Sequence, residues 1–169
     1  MKPKLGDYNI YYHRYISMIE DDDIIVVLEE QSKTSEKFLK TFTEKQGNYS
    51  YEVGKWTVKE VLGHLIDNER IMAYRALAFA RGEKQSLPGY EQEDYVAESN
   101  FNKRSLDDLI NEFLTVRESN IILFKSFDEE ILNRRGTASE SEVTVLALIY
   151  IIAGHEKHHM KFLREKYRL

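Results

Sequence analysis

Four stretches of this chain carry a recurring residue every three or four positions, each for roughly five helical turns. The first is Ile24, Leu28, Gln31, Ser35, Phe38 and Phe42. The second is Val58, Leu62, Leu65, Glu69, Met72, Ala76 and Phe79. The third is Leu106, Leu109, Phe113, Val116, Asn120, Leu123 and Phe127, and the fourth is Val145, Leu148, Ile152, His155, His159 and Phe162. Such spacing places the row on one face of an α-helix. Four helices of this length bury their apolar faces against one another, so the expected fold is all-α, a four-helix bundle. With two prolines and eight glycines in 169 residues, little interrupts the helices, and one domain over 1–169 is expected. No segment reads as a sheet.

The boundaries are also legible. Asp21, Asp22 and Asp23 suit the start of the first helix, and Gly47-Asn48 breaks it. Thr57 and Glu60 form a capping box for the second helix, with Trp56 as an apolar staple before it and Arg81-Gly82 at its end. Ser105, followed by Asp108, caps the third, and the fourth is expected from Val143 to Tyr167. The long connection between helices two and three, Gly82 to Phe101, contains Leu87-Pro88-Gly89-Tyr90 and one short helix near 92–99. Connections of that length often carry function. A second connection runs from Asp128 to Ser141. Residues 1–20, with Tyr8, Tyr11, Tyr12 and Tyr15, read as an irregular arm whose aromatics cover the core in preference to rimming a pocket.

Charge and composition exclude several functions. A net charge of −5 with no basic block argues against nucleic acid as a partner. Lys157, Lys161, Arg164, Lys166 and Arg168 fall in the last turns of the fourth helix, where they complement its dipole. The absence of cysteine removes disulfides, thiolate ligands and a thiol nucleophile together, and makes a reducing cytoplasm the expected location. The N-terminal residues lack a signal-type apolar segment, and the longest apolar run, Val143 to Ala153, is too short to span a bilayer.

The fourth helix carries the chemistry. Its apolar seam runs into His155 and His159 and resumes at Phe162. Histidines four apart share a helix face, about 6 Å apart at Cβ, within reach of one ion through metal–nitrogen bonds of roughly 2.0–2.1 Å. Exposure at a frayed helix end is the competing reading. The third candidate is His64, at the edge of the second stripe. It lies early in its helix while His155 and His159 lie late in theirs, so an antiparallel pair brings all three to one end. Three neutral imidazoles leave coordination positions open, as in catalytic sites. His13 and His158 are alternatives, His158 as a pocket-lining or supporting residue. Asp67 is placed to accept from His64 or to bridge to Arg70 or Arg75. Glu69, inside an apolar stripe, needs either an arginine or a role as proton acceptor beside the ion.

The segments Lys55-Trp56-Thr57-Val58-Lys59-Glu60-Val61-Leu62-Gly63-His64-Leu65, Asp67-Asn68-Glu69-Arg70, Leu87-Pro88-Gly89-Tyr90 and Gly154-His155-Glu156-Lys157-His158-His159 resemble the DinB-like metalloproteins. The resemblance covers nearly the whole chain. It implies a four-helix bundle, commonly a homodimer, with His64, His155 and His159 at the ligand positions for one divalent ion. Zinc or nickel comes first, with iron, manganese or copper also compatible. Some relatives join a low-molecular-weight thiol such as bacillithiol or mycothiol to an electrophile, and others are metal-dependent hydrolases. The expected function is therefore a metal-dependent enzyme that activates a thiol or water toward a small-molecule substrate, with Glu69 and His158 as catalytic candidates. Asp67 or Glu156 would orient a ligand, and Tyr90, Tyr95 and the N-terminal tyrosines would line the mouth. The rival readings are a metal- or small-molecule-binding stress-response module without turnover, and a purely structural bundle.

Overall fold

The computed structural model describes residues 1–167, which leaves Arg168 outside the described residues. In chain order the helices are α1 (His13–Ile16), α2 (Ile24–Leu39), α3 (Glu44–Gly47), α4 (Val58–Ala80), α5 (Gln92–Glu98), α6 (Leu106–Lys125), α7 (Glu129–Leu132) and α8 (Val145–Lys166); strands β1 (Arg135–Ala138) and β2 (Ser141–Thr144) precede α8. The long helices α2, α4, α6 and α8 are the four expected, and together they form a four-helix bundle. Each starts at a side-chain cap: Asp23, Thr57, Ser105 and Thr144 accept hydrogen bonds from the orphan N–H groups of the first turn. The Thr57–Glu60 capping box is present in both directions.

Helix α4 packs on α6 and α8, and α2 packs on the same two. Early α4 residues Val61, Leu62 and Leu65 share a core cluster with late α8 residues Met160 and Leu163, whereas Met72, Ala76 and Phe79 share another with Val145–Ile152. The two helices are therefore antiparallel, as the histidine spacing required.

The two apolar clusters are divided by a polar layer to which each bundle helix contributes. Between the clusters lie Ser35 on α2, Asn68 and Glu69 on α4, Arg117 on α6, and His155 and Glu156 on α8, all buried. Arg117 donates to both oxygens of Glu69 (Nε to Oε1 2.8 Å, Nη2 to Oε2 2.8 Å) and pairs with Glu156 Oε2 at 2.6 Å. Ser35 Oγ donates to Glu156 Oε1 at 2.5 Å and Asn120 Nδ2 to Glu69 Oε1 at 3.3 Å. Burial disfavours the charge of Arg117, but Glu156 and Glu69 outweigh it and hold the guanidinium even more firmly protonated than usual.

Three regions differ from the sequence reading. Helix α2 ends at Leu39, short of the expected break at Gly47-Asn48, because the Thr43–Gln46 capping box starts a separate turn, α3. The connection after α6 contains an antiparallel hairpin, Arg135–Ala138 on Ser141–Thr144, where no sheet was expected. Its two turn residues, Ser139 and Glu140, sit at φ +50° and +61°. That primed turn is normally signalled by Asn-Gly or Asp-Gly, so Ser-Glu gave no cue. Gly136 is required there, because a Cβ would lie 2.0 Å from the Phe79 ring. The arm is also more ordered than expected. It holds a 3₁₀ turn at Ile10–Tyr12 and α1, which packs on α8, and Tyr8 and Tyr15 are buried. Among the described residues no helix is long and apolar enough to cross a membrane.

Candidate metal centre

His64, His155 and His159 converge at one end of the α4–α8 pair. One nitrogen from each lies within 4.8 Å of the others. The His64 and His155 Nε2 atoms are 3.1 Å apart, and the ring centroids stand 4.9, 5.1 and 4.5 Å apart for the 64–155, 64–159 and 155–159 pairs. The local sequence brings them there. In both helices the first histidine follows a glycine that admits a neighbour. A Cβ on Gly63 would fall 2.3 Å from the Phe101 ring, and one on Gly154 would fall 2.2 Å from the backbone oxygen of Tyr15. Closing α1 onto Gly154 sets the Tyr15 ring edge-on to His155, with centroids 5.2 Å apart, and Trp56 packs on His64 at 4.9 Å.

Burial governs the protonation of all three rings. Desolvation lowers His64 to about 4, and desolvation with the neighbouring histidines and Arg14 lowers His159 to about 3. His155 is pushed well below its ordinary value, first by burial and then by His159 and His64. The trio is thus neutral at pH 7, the state in which imidazole is a ligand. Three neutral rings cannot satisfy one another. His64 and His155 can share one proton, while Nδ1 of His159 is buried with no hydrogen-bond partner. Two nitrogens on a tetrahedral ion with bonds of 2.0–2.1 Å stand about 3.3 Å apart, close to the spacing of the tightest pair. No carboxylate or thiolate joins the group among the described residues, and three nitrogens suit zinc, nickel, copper or iron. The residues fit one divalent ion.

The other candidates are placed differently. Glu69 is the arginine-paired residue that was one of its two readings, and the arginine is Arg117 of α6. With both oxygens committed there, the geometry gives no support to a proton-accepting role beside the ion. Glu156 neighbours His155 in sequence yet faces Arg117 and Ser35, and burial raises its carboxyl. Asp67 makes neither expected contact. It lies in a surface groove with Arg70, Arg104 and Glu112, where Arg70 pairs with Glu112. His158 is exposed, edge-on to Tyr15 and His159 at 5.4 and 5.2 Å, and lowered by partial burial, Arg14 and Lys161. His13 is exposed and contacts the Tyr8 hydroxyl at 3.1 Å, away from the trio.

The arm tyrosines do more than cover the core. Tyr11, Tyr12, Tyr15 and Tyr90 line a cavity of about 270 Å³ together with Asn68 and His155. Tyr95 lies outside it, half-exposed against the Tyr90 ring. Arg117 escaped the sequence reading altogether, since it lies off the apolar stripe of its own helix. Glu69, a carboxylate inside an apolar stripe, was the signal that a buried cation had to exist.

A family model described as the DinB superfamily matches residues 28–163. A Bacillus cereus (strain ATCC 10987) protein, provisionally named a metal-dependent hydrolase, is 28% identical over 150 residues, covering 88% of this chain and 86% of its own. A similarly named protein of Bacillus thuringiensis subsp. konkukian is 27% identical with the same coverage. Among solved structures, YfiT from Bacillus subtilis, described as a probable metal-dependent hydrolase with an unusual four-helix bundle topology, superposes with a TM-score of 0.76. It is 18% identical, covering 85% of this chain and 83% of its own. A mycothiol-dependent maleylpyruvate isomerase superposes with a TM-score of 0.70 at 12% identity, over 86% of this chain and 61% of the isomerase. At those identities the likeness is one of fold.

Proposed function

The chain belongs to the DinB superfamily, and from that premise we propose that it is a metal-dependent enzyme in which His64, His155 and His159 hold one divalent ion that activates a thiol or water toward a small-molecule substrate. The observation that carries the reading is the trio itself, with His64 and His155 buried and His159 half-buried: three imidazoles with lowered basicity, one nitrogen of each within 4.8 Å of the others, and one ring nitrogen left without a partner. The ion, when bound, supplies Lewis acidity that lowers the pKa of a coordinated water or thiol toward neutrality.

The remaining roles fall to this chain's own side chains. Tyr15 and Trp56, packed on the rings of His155 and His64, restrict their rotation and exclude water from behind them. Asn68 donates to the Tyr90 hydroxyl at 2.7 Å, which leaves that hydroxyl's own proton available to a substrate in the tyrosine-lined cavity. His158, exposed and neutral at pH 7, is the ring that can carry a proton between solvent and the cavity mouth.

Elemental analysis of untagged protein should find close to one divalent ion per chain, and His159→Ala should lose it while retaining the helical circular dichroism. Metal-loaded protein should then turn over in a screen of small thiols and water against electrophiles and esters. A preparation that never takes up a divalent ion refutes the reading. Stoichiometric metal without turnover would favour a binding module instead.

A further inference from the structure

The trio is flanked by two cavities, not one. The tyrosine-lined cavity reaches His155. A second, of about 250 Å³, reaches His159 and is walled by Tyr51, Trp56, Phe162 and Tyr167. Gln92, at the first turn of α5, lines both and stands between them.

Their chemistry differs. In the second cavity the polar atoms of two wall residues are already used within the protein. Trp56 Nε1 donates to Glu93 Oε2 at 3.1 Å, and the Tyr167 hydroxyl donates to the backbone oxygen of Trp56 at 2.5 Å. The rings that remain stand edge to face. Tyr51 lies 5.5 Å from Phe162 and 5.3 Å from Tyr167, between centroids. Lys55, Gln92 and Glu93 complete the lining, so the slot offers four ring faces beside a few polar groups, and the ring faces select a flat group. The first cavity, with Asn68 and tyrosine hydroxyls, selects a polar one.

We propose that the cavity formed by Tyr51, Trp56, Phe162 and Tyr167 is a binding subsite for the planar apolar or aromatic part of a second substrate, which approaches the trio from the His159 side while a polar co-substrate occupies the tyrosine-lined cavity on the His155 side. The inference rests on the metal-dependent reading for its catalytic meaning. It favours transfer between two bound molecules over hydrolysis of one, because a water nucleophile needs no cavity of its own.

Trp56 is the only tryptophan in the sequence, so its emission and its indole N–H resonance report on this subsite. Benzyl alcohol is the aromatic probe and free cysteine the polar one, each titrated into metal-free and metal-loaded protein. Benzyl alcohol should change Trp56 emission saturably in both forms and shift the indole N–H. Phe162→Ala or Tyr51→Ala should weaken it about tenfold, equivalent to about 1.4 kcal/mol, and Tyr90→Phe should not. Two wall variants are named so that a failure of either to fold leaves the other as the test. Cysteine should shift the Asn68 side-chain amide without displacing benzyl alcohol. The subsite is refuted by the absence of a saturable Trp56 response, by wild-type affinity in both wall variants, or by competition between the two probes. The response of metal-free protein keeps this outcome separate from that of the metal analysis.

Discussion

Replacing Arg117 with methionine removes the guanidinium of the polar layer while keeping most of its volume. The side chain is fully buried, and its partners Glu69 and Glu156 are 3% and 2% exposed. In the native protein the guanidinium makes two parallel hydrogen bonds to Glu69 and a close ion pair to Glu156. The variant leaves two carboxylates at the centre of the bundle with Ser35 and Asn120 as their remaining donors. Breaking one buried pair costs roughly 3–5 kcal/mol, and the second carboxylate adds repulsion, so the expected loss at pH 7 is about 5 kcal/mol. That is a third or more of the roughly 5–15 kcal/mol that holds a domain folded. Urea unfolding followed by far-UV circular dichroism measures it. Adding Glu69→Gln and Glu156→Gln to the variant should restore more than half of the loss, because neutral amides need no counter-ion. The pH dependence has a definite sign. Burial already moves the Glu156 carboxyl above its ordinary value, and without Arg117 nothing opposes that shift. Stability is then retained below the unfolded carboxyl value and lost as pH rises through the folded one, so the deficit should be smaller at pH 5 than at pH 8. A loss under about 1 kcal/mol, within the range of ordinary substitutions, or a deficit that grows on acidification, would refute the reasoning.

Further outcomes follow from the same geometry. Metal-free protein should lose stability on acidification, since folded values below 6.5 favour the folded state above that pH and penalise it as pH falls. For His64, displaced from 6.5 to about 4, the loss is about 3 kcal/mol between those limits, readable as a falling urea midpoint. Zinc or nickel at about a hundredfold over its dissociation constant should raise the stability of the native chain by about 2.7 kcal/mol and leave His64→Ala unchanged in a thermal melt. Gly154→Ala places a Cβ 2.2 Å from the Tyr15 backbone oxygen and should cost about 1–3 kcal/mol while shifting the Tyr15 and His155 ring resonances. Thr57→Ala removes the α4 cap and should cost about 1 kcal/mol by urea unfolding.

The bundle was legible because its signals are local. Stripes at three- and four-residue spacing, the Thr57–Glu60 box and the Ser105 cap lie within one helix each and need no partner to be read. The convergence of His64 with His155 and His159 was legible for a related reason: an antiparallel pair converts early and late positions into neighbours, so one assumption about direction fixed the site. The hairpin was not legible because Ser139-Glu140 adopts a positive-φ turn without the residues that usually announce it. The partner of Glu69 was not legible because contact between α4 and α6 depends on helix rotation. Arg70 and Arg75 are near in sequence, whereas Arg117 is near in space. The second cavity draws on the 51–56 segment, Val61 of α4, α5 and the end of α8, four places that no single periodicity connects.

Apolar stripes with regular spacing can slide by a turn and still bury their faces, whereas a layer in which each helix presents one polar group is satisfied in a single register. On α8 the two tasks sit side by side. His155 turns toward α4 and the trio, and Glu156, one residue on, turns toward Arg117 and Ser35. Consecutive helical residues are about 100° apart, so anchoring Glu156 sets the rotation that aims His155 and His159. On the proposed metal site, Glu156 is then expected to act on the ligands only through the rotation of α8. Glu156→Gln keeps its amide oxygen as an acceptor for Arg117 and turns its amide N–H to the Ser35 hydroxyl, which can accept, so it should leave zinc affinity, measured by competition with a chromophoric chelator, within a few-fold of the native value. Glu156→Leu abolishes the anchor and should weaken it by about tenfold or more, as loss of supporting contacts does in other metal sites. The comparison is made at matched helical content so that unfolding is not read as release. Equal affinities in the two variants would show that the apolar packing alone sets the rotation of α8 and that the polar layer serves the fold without reaching the metal centre.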